Sequence, residues 1–195
     1  MFTPKNFPQL FGISGLSDEL LKNHFTLYEG YVTNTNKLLE KMTALVEKGE
    51  ISSSEFAEFK RRFGWEFNGM RLHEYYFENL TKTPKAIDKN SRLYKKMTKD
   101  FVSFDKWQSA FREFATMRGI GWVVLYYDEL AGRFFNVWIN EHDVGHLAGA
   151  TPILVIDVFE HAYMLDYGTK KPAYLEAVWQ NIDWQAVVKR FSSVS

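Results

Sequence analysis

Five histidines are the residues of this chain whose spacing could bind a metal or move a proton. His24 and His73 each lie in a long stretch with helical apolar spacing. Two such helices joined by a short turn pack antiparallel, which allows the two imidazoles to face each other. Asp157 ends an apolar run, and His161 follows four residues later, about one helical turn. Three imidazoles and one carboxylate form a ligand set that suits Fe, Mn or Zn.

Each of these side chains also has a purely structural interpretation. Asp157 could cap a helix, and His161 could make a polar contact in a protein interface. Ligands on widely separated segments carry no local signature as specific as H-E-x-x-H. The residues alone therefore leave a metal site and a set of structural polar groups both open. No G-x-S-x-G elbow and no glycine-rich phosphate loop supports a different chemistry.

Composition excludes several classes of function. The 195 residues include no cysteine, which rules out disulfides, zinc–thiolate sites and thiolate catalysis. The 24 basic and 24 acidic side chains balance, so we expect no broad basic face and no nucleic-acid partner. Apolar runs such as 153–156 are too short to cross a bilayer, and the first residues do not resemble a signal peptide. We expect a cytoplasmic protein without membrane contact.

Two long helices form the first half of the predicted fold. The first opens at Ser17 and runs to Lys48, and the second starts in the serine cluster 52–54 and extends to Leu80. Residues 81–85 form a polar linker that contains a proline. Shorter helices are predicted near 88–100 and 104–117.

Aromatic and β-branched runs then predict strands at 121–127, 133–139 and 153–157. Short helices return in the tail, with Pro172 at a helix start and Asp183 as a cap. The fold class is α+β: an N-terminal antiparallel helical hairpin, then a three-stranded antiparallel sheet arranged as a meander and flanked by helices. We predict a hairpin domain over 1–84 and an α+β domain over 85–195, with the metal site between them.

The segment 157–163, Asp-Val-Phe-Glu-His-Ala-Tyr, resembles the D-x-W-E-H-A-Y signature of the iron/manganese superoxide dismutases. The similarity covers nearly the whole chain. It includes His24 with the segment 31–34, the segment 69–77 around His73, and the segments 103–105 and 119–122. The resemblance implies an antioxidant enzyme that converts superoxide and protons to dioxygen and hydrogen peroxide, with one Fe or Mn ion per subunit.

The resemblance also implies roles for individual residues. The metal ligands would be His24, His73, Asp157 and His161, with one bound water or hydroxide. Tyr31 at the mouth of the substrate funnel and His142, where many members carry a glutamine, would be the catalytic residues. The pocket would be formed by Trp122, Phe159, Gly69 and Tyr76. Glu160 and Tyr163 would lie at the interface of a homodimer or homotetramer.

Three departures from the family pattern are visible. His24 and Tyr31 are seven residues apart, where the family usually has eight. A regular α-helix places i and i+7 on one face, so this spacing requires no expanded turn. Tyr28 stands near the position of a histidine that the family joins to the interface tyrosine, and Phe159 replaces a tryptophan.

Two other functions agree with the same residues. One is a metal-binding relative of the same fold with altered catalysis, and the other is a non-catalytic α+β interaction module. For a dismutase of zero net charge, attraction of superoxide must be local. Lys22, Lys170 and Lys171 are the candidates for such a basic patch.

Overall fold

The first two helices form the predicted antiparallel hairpin. The computed structural model describes residues 1–194 and places α1 at Asp18–Glu47 and α2 at Ser54–Glu78. Both helices begin at a serine N-cap, because Ser17 Oγ accepts from the N–H of Leu20 and Ser53 Oγ accepts from the N–H of Phe56. α1 is α-helical without interruption, so the seven-residue spacing from His24 to Tyr31 needs no bulge.

Two shorter helices follow, α3 at Arg92–Asp100 and α4 at Phe104–Thr116. The predicted start of α3 at residue 88 was four residues early. Asp88 instead forms a turn: its carboxylate accepts from the N–H of Asn90, and its carbonyl accepts from the Ser91 hydroxyl. Ser91 then caps the helix.

The sheet contains β1 at Trp122–Asp128, β2 at Arg133–Ile139 and β3 at Thr151–Asp157, all antiparallel. Its order is β2-β1-β3, so the predicted meander is wrong. β1 is the central strand, and six of its seven residues are buried, whereas β2 at one edge is half-exposed along most of its length. Residues 140–150 carry the chain across to the free edge of β1. Trp122 thereby pairs with both Ile139 and Asp157.

Gly121 fixes the start of the central strand. Its φ of 124° is unfavourable for a residue with a side chain, and a Cβ there would lie 1.8 Å from the carbonyl oxygen of Ile139. The glycine therefore allows β1 and β2 to close together immediately before Trp122.

The chain after β3 forms a 3₁₀ turn at Glu160–Ala162 and then α5 at Met164–Tyr167, α6 at Lys171–Gln180 and α7 at Trp184–Ser192. The Asp183 carboxylate caps α7 by accepting from the N–H groups of Gln185 and Ala186, as predicted. The α+β class is confirmed. Within residues 1–194, no helix has both the length and the apolar character needed to cross a membrane.

One hydrophobic core joins the hairpin to the sheet. The buried cluster contains residues from both sides of residue 84, and α2 packs directly on β3. Polar links reinforce this contact: the Asn79 amide donates to the Val155 carbonyl (2.8 Å), and Arg190 donates to Asn79 Oδ1 and to the Ile153 carbonyl. The division into domains at residue 84 stays a prediction.

Candidate metal centre

Four side chains from four different elements meet at one point in the interior. They are His24 of α1, His73 of α2, Asp157 at the end of β3 and His161 in the 3₁₀ turn, and one ligand atom of each lies within 4.8 Å of the others. Asp157 Oδ2 is 3.2 Å from His24 Nε2, 3.1 Å from His161 Nε2 and 3.7 Å from His73 Nε2. These are the four residues predicted as ligands.

Local structure aims the Asp157 carboxylate at the imidazoles. Its Oδ1 accepts from the N–H of Phe159 (2.8 Å), as in a turn-forming aspartate, which leaves Oδ2 for the histidines. The Tyr174 hydroxyl donates to the Asp157 carbonyl at 2.8 Å and holds its main chain. Asp157 therefore fills both of the roles considered for it. Oδ1 makes the cap-like hydrogen bond, and Oδ2 faces the histidines.

His73 carries a lone pair that the protein does not satisfy. The His73 ring is fully buried, and its Nδ1–H donates to the Gly69 carbonyl at 2.6 Å. Nε2 is then unprotonated, and it is a buried nitrogen without a hydrogen-bond partner among residues 1–194. Such an orphan acceptor is unfavourable unless a cation or a proton donor meets it. A metal ion held by Nε2 would supply that cation, so the residues fit the ion that the resemblance implies.

Burial sets the protonation states that metal binding requires. Loss of hydration lowers the pKa of His24, and it lowers the pKa of His73 still further, with His24 adding to the effect. Burial alone would raise the pKa of Asp157, yet the imidazoles of His161 and His24 hold it well below its usual range. At neutral pH His24 and His73 are therefore neutral and Asp157 is ionised, which are the forms that ligate metals.

His142 and Tyr31 form a second polar unit beside this cluster. The indole N–H of Trp122 donates to His142 Nδ1 at 3.0 Å, and His142 Nε2 lies 2.7 Å from the Tyr31 hydroxyl oxygen. Burial lowers the pKa of His142 to about 4, so the ring is neutral at pH 7 and has a single N–H. Because Nδ1 accepts from Trp122, that N–H is at Nε2 and donates to Tyr31. The hydroxyl proton of Tyr31 is then left for another acceptor.

The predicted pocket residues surround these two units. Ring centroids of Trp122 and His73 are 4.9 Å apart, and those of Tyr76 and His24 are 5.4 Å apart. Phe159 lies 4.9 Å from His142 and 5.3 Å from His161, so it keeps an aromatic wall where the family signature has tryptophan.

Gly69 makes room for Tyr31. The Tyr31 ring stacks on His73 with centroids 5.2 Å apart, and it crosses the helix face at Gly69. A Cβ at residue 69 would lie 2.6 Å from Tyr31 Cδ1 and 2.8 Å from Cε1. A larger residue at position 69 and this position of Tyr31 are therefore mutually exclusive.

The residues predicted for the subunit interface and for the basic patch differ in how far they reach solvent. Glu160 is exposed, whereas Tyr163 is buried against Tyr174, and their place in a subunit interface stays a prediction. Lys171 is a poor candidate for steering superoxide, since it is only 8% exposed and donates inward to the Met117 carbonyl. Tyr28 also points inward, donating to Glu74 and accepting from the N–H of Lys5.

Sequence reasoning missed four residues that touch the site or its supports: Trp65, Tyr126, His146 and Tyr174. Trp65 packs edge-on against His142 with centroids 4.8 Å apart. His146 stands four residues after His142, and that spacing was the available signal. Nothing local distinguished Trp65, Tyr126 and Tyr174 from the other aromatic residues.

Comparison with known proteins places this site in a family. The family model described as iron/manganese superoxide dismutases, C-terminal domain, matches residues 89–190. The chain is 34% identical over 193 residues to the Superoxide dismutase [Fe] of Aquifex pyrophilus, covering 96% of this chain and 90% of that protein. The chain belongs to the iron/manganese superoxide dismutase family.

Relatives within the family carry either metal in their names. Superoxide dismutase [Fe] of Saccharolobus solfataricus is 33% identical over 180 residues, covering 90% of this chain and 85% of that protein. Superoxide dismutase [Mn] 2 of Haloferax volcanii is 32% identical over 178 residues, covering 90% and 87%. Similarity to the family therefore does not select one metal.

We expect Gly69→Ala to destabilise the protein by about 1–3 kcal/mol, because the new methyl group overlaps the Tyr31 ring. Glycine to alanine inside a helix normally stabilises a protein by about 0.5–1 kcal/mol. A loss of stability in Gly69→Ala would therefore point to the contact with Tyr31. Urea unfolding at equal metal content measures the effect. Gly64→Ala in the same helix is the matched control, since its Cβ would meet only Asp143 Cβ at 3.6 Å. Equal stability of the two variants would contradict the proposed packing of Tyr31.

We expect the metal-free protein to lose stability as the pH falls from 6.5 towards 4. His142 has a lowered pKa of about 4 in the folded chain against 6.5 ordinarily, so the unfolded state binds more protons in this window. Its contribution is complete above pH 6.5 and decreases by at most about 1.4 kcal/mol per pH unit below it. Urea unfolding across this range measures the slope. His142→Gln should have a shallower slope, and parallel curves would show that His142 is not held neutral.

Proposed function

We propose that this protein is a superoxide dismutase that converts superoxide and protons to dioxygen and hydrogen peroxide with one Fe or Mn ion per subunit. The observation that carries the proposal is the cluster of three imidazoles around one buried, ionised carboxylate, with the lone pair of His73 Nε2 unsatisfied by the protein. Membership in the iron/manganese superoxide dismutase family supports the same conclusion.

His24, His73 and His161 would hold the ion through Nε2, and Asp157 through Oδ2. When bound, the ion supplies one-electron oxidation and reduction of superoxide. A single carboxylate among neutral imidazoles leaves positive charge on a divalent or trivalent ion. That charge attracts a small anion without a basic protein surface, which agrees with the zero net charge of the chain.

Tyr31 and His142 would handle protons. The His142 N–H donates to the Tyr31 oxygen, so the Tyr31 hydroxyl can direct its proton towards a substrate anion. Burial raises the pKa of Tyr31 to about 12, which keeps this hydroxyl protonated at neutral pH. Trp122 and Phe159 line the same space with apolar surface and limit the entry of water.

We also propose that the active form is at least a homodimer. His161 has a partly exposed side chain, and its Nδ1 has no hydrogen-bond partner within residues 1–194. A metal-ligating histidine normally donates its second N–H to a carboxylate or carbonyl. The adjacent Glu160 is exposed and could supply that carboxylate to a second copy, with Tyr163 nearby. A tetramer and the cytoplasmic location stay predictions.

The dismutase proposal predicts metal-dependent activity. Chelated protein reloaded separately with Fe and Mn should dismutate superoxide with at least one metal, and Asp157→Asn should lower metal affinity by about 100-fold or more. Metal analysis and superoxide decay after pulse radiolysis give the two readouts. Asp128→Asn, at the end of β1 next to the β1–β2 turn, is the matched control and should retain both properties.

The outcomes separate the alternatives. Full occupancy with either metal and no activity would instead support a metal-binding relative with altered catalysis. No specific metal binding would support a non-catalytic interaction module.

The dimer proposal predicts that Glu160→Ala weakens self-association. Light scattering coupled to size exclusion should give twice the 22.9 kDa of one chain for the parent protein and a shift towards the single-chain mass for the variant. Glu129→Ala, exposed in the β1–β2 turn, is the control. A dimer that Glu160→Ala leaves unchanged would show that this carboxylate does not bridge subunits.

A further inference from the structure

His146 links the loop that carries His142 to the central strand of the sheet. Its Nε2 lies 2.7 Å from the carbonyl oxygen of His142, and its Nδ1 lies 2.7 Å from the Tyr126 hydroxyl. The Asn68 amide is 3.4 Å from the same Nε2, too far to compete with the carbonyl. His146 is half-buried, and within residues 1–194 it makes no hydrogen bond to the four predicted ligands.

The donors and acceptors of this contact follow from chemistry. A carbonyl oxygen only accepts, so Nε2 of His146 carries the proton and donates to His142. In the tautomer with a single N–H at Nε2, Nδ1 accepts from the Tyr126 hydroxyl, and both hydrogen bonds are made at once. The tautomer of His146 is fixed in the same way as that of His142, with an aromatic donor at Nδ1 and an N–H at Nε2.

Both aromatic donors stand on β1. Trp122 and Tyr126 are four residues apart, so their side chains leave the same face of the strand. Trp122 holds the side chain of His142, and Tyr126 holds its main chain through His146. The strand is buried and paired on both edges, which makes it a rigid reference for a loop without regular structure.

We propose that His146 is a positioning residue for His142: it holds the main chain of residue 142 so that Nε2 of His142 stays on the Tyr31 hydroxyl. The effect on turnover rests on the proposed dismutase function. The effect on the geometry of His142 does not, because it depends only on contacts within the chain.

A small displacement of His142 is enough to matter. The bond to Tyr31 is 2.7 Å long, and a shift of about 1 Å takes a hydrogen bond outside its useful range. The Trp122 bond by itself leaves the imidazole free to pivot about Nδ1, whereas a fixed carbonyl at residue 142 removes that freedom.

The first test compares three variants of the metal-loaded protein. His146→Leu removes both bonds and should lower kcat by about threefold to tenfold, within the range for coupled residues in one network. His146→Gln can donate to the carbonyl and accept from Tyr126, so it should restore kcat to within about twofold of the parent. Tyr126→Phe, which removes only the hydroxyl, should lower kcat in the same direction as His146→Leu.

A double-mutant cycle asks whether His146 acts through His142. In a His142→Gln background, His146→Leu should change kcat by less than about twofold, since the group that it positions is gone. Asn136→Ala is the matched control for general destabilisation, because it removes the Trp107–Asn136 bond elsewhere in the sheet. Equal effects of His146→Leu in both backgrounds would overturn the proposal.

A second readout is independent of activity. The indole N–H resonance of Trp122 in the metal-free full chain reports its bond to His142, and it should move in His146→Leu and Tyr126→Phe but not in His146→Gln or Asn136→Ala. An unmoved Trp122 resonance in His146→Leu would refute the positioning role. If the Trp122 resonance moves in His146→Leu but the metal-loaded parent protein has no dismutase activity, the positioning role stands and the proposed function is refuted.

Discussion

The structure depends on one electrostatic constraint: a fully buried carboxylate, Asp157, faces three imidazoles. An isolated charge in a protein interior is strongly unfavourable, so it needs a cation or protonated partners. Here burial keeps two of these imidazoles, those of His24 and His73, neutral, and His73 presents an unsatisfied lone pair. A bound cation resolves both problems at once. The helical hairpin, the central strand and the turn after β3 each contribute to holding these groups in contact.

β1 organises the polar groups around that centre. It pairs with the strand that ends in Asp157, and it presents Trp122 to His142 on the face that packs towards the hairpin. Because a buried indole N–H and a buried imidazole need partners, the hydrogen bonds fix one tautomer of His142 and thereby the direction in which Tyr31 can donate. In the proposed reaction, the direction in which Tyr31 can donate its proton would thus be set by the sheet rather than by the loop that carries His142.

The departures from the family pattern are compatible with one another in three dimensions. The shorter His24–Tyr31 spacing lets α1 remain a regular helix, and Tyr31 then occupies the space above Gly69. With glycine at that position, a side chain from the 140–150 loop can approach Tyr31, and His142 does so. Tyr28 is satisfied within the chain by Glu74 and Lys5. Any subunit contact that the family makes from that helix position would need different residues here.

The sequence by itself predicted the helical hairpin, the caps at Ser17 and Asp183 and the three strands, because these follow from local periodicity and capping chemistry. The four residues that converge were implied by the resemblance to the family signature, since their spacing alone left a metal site and structural polar groups both open. Only the tertiary structure decided the sheet order β2-β1-β3, since strand order depends on which strand can be buried on both edges. It likewise decided the inward turn of Lys171, the contact of Tyr31 with Gly69, and the link from Tyr126 through His146 to His142. These are contacts between residues far apart in the chain, and no local pattern encodes which donor meets which acceptor once both are buried.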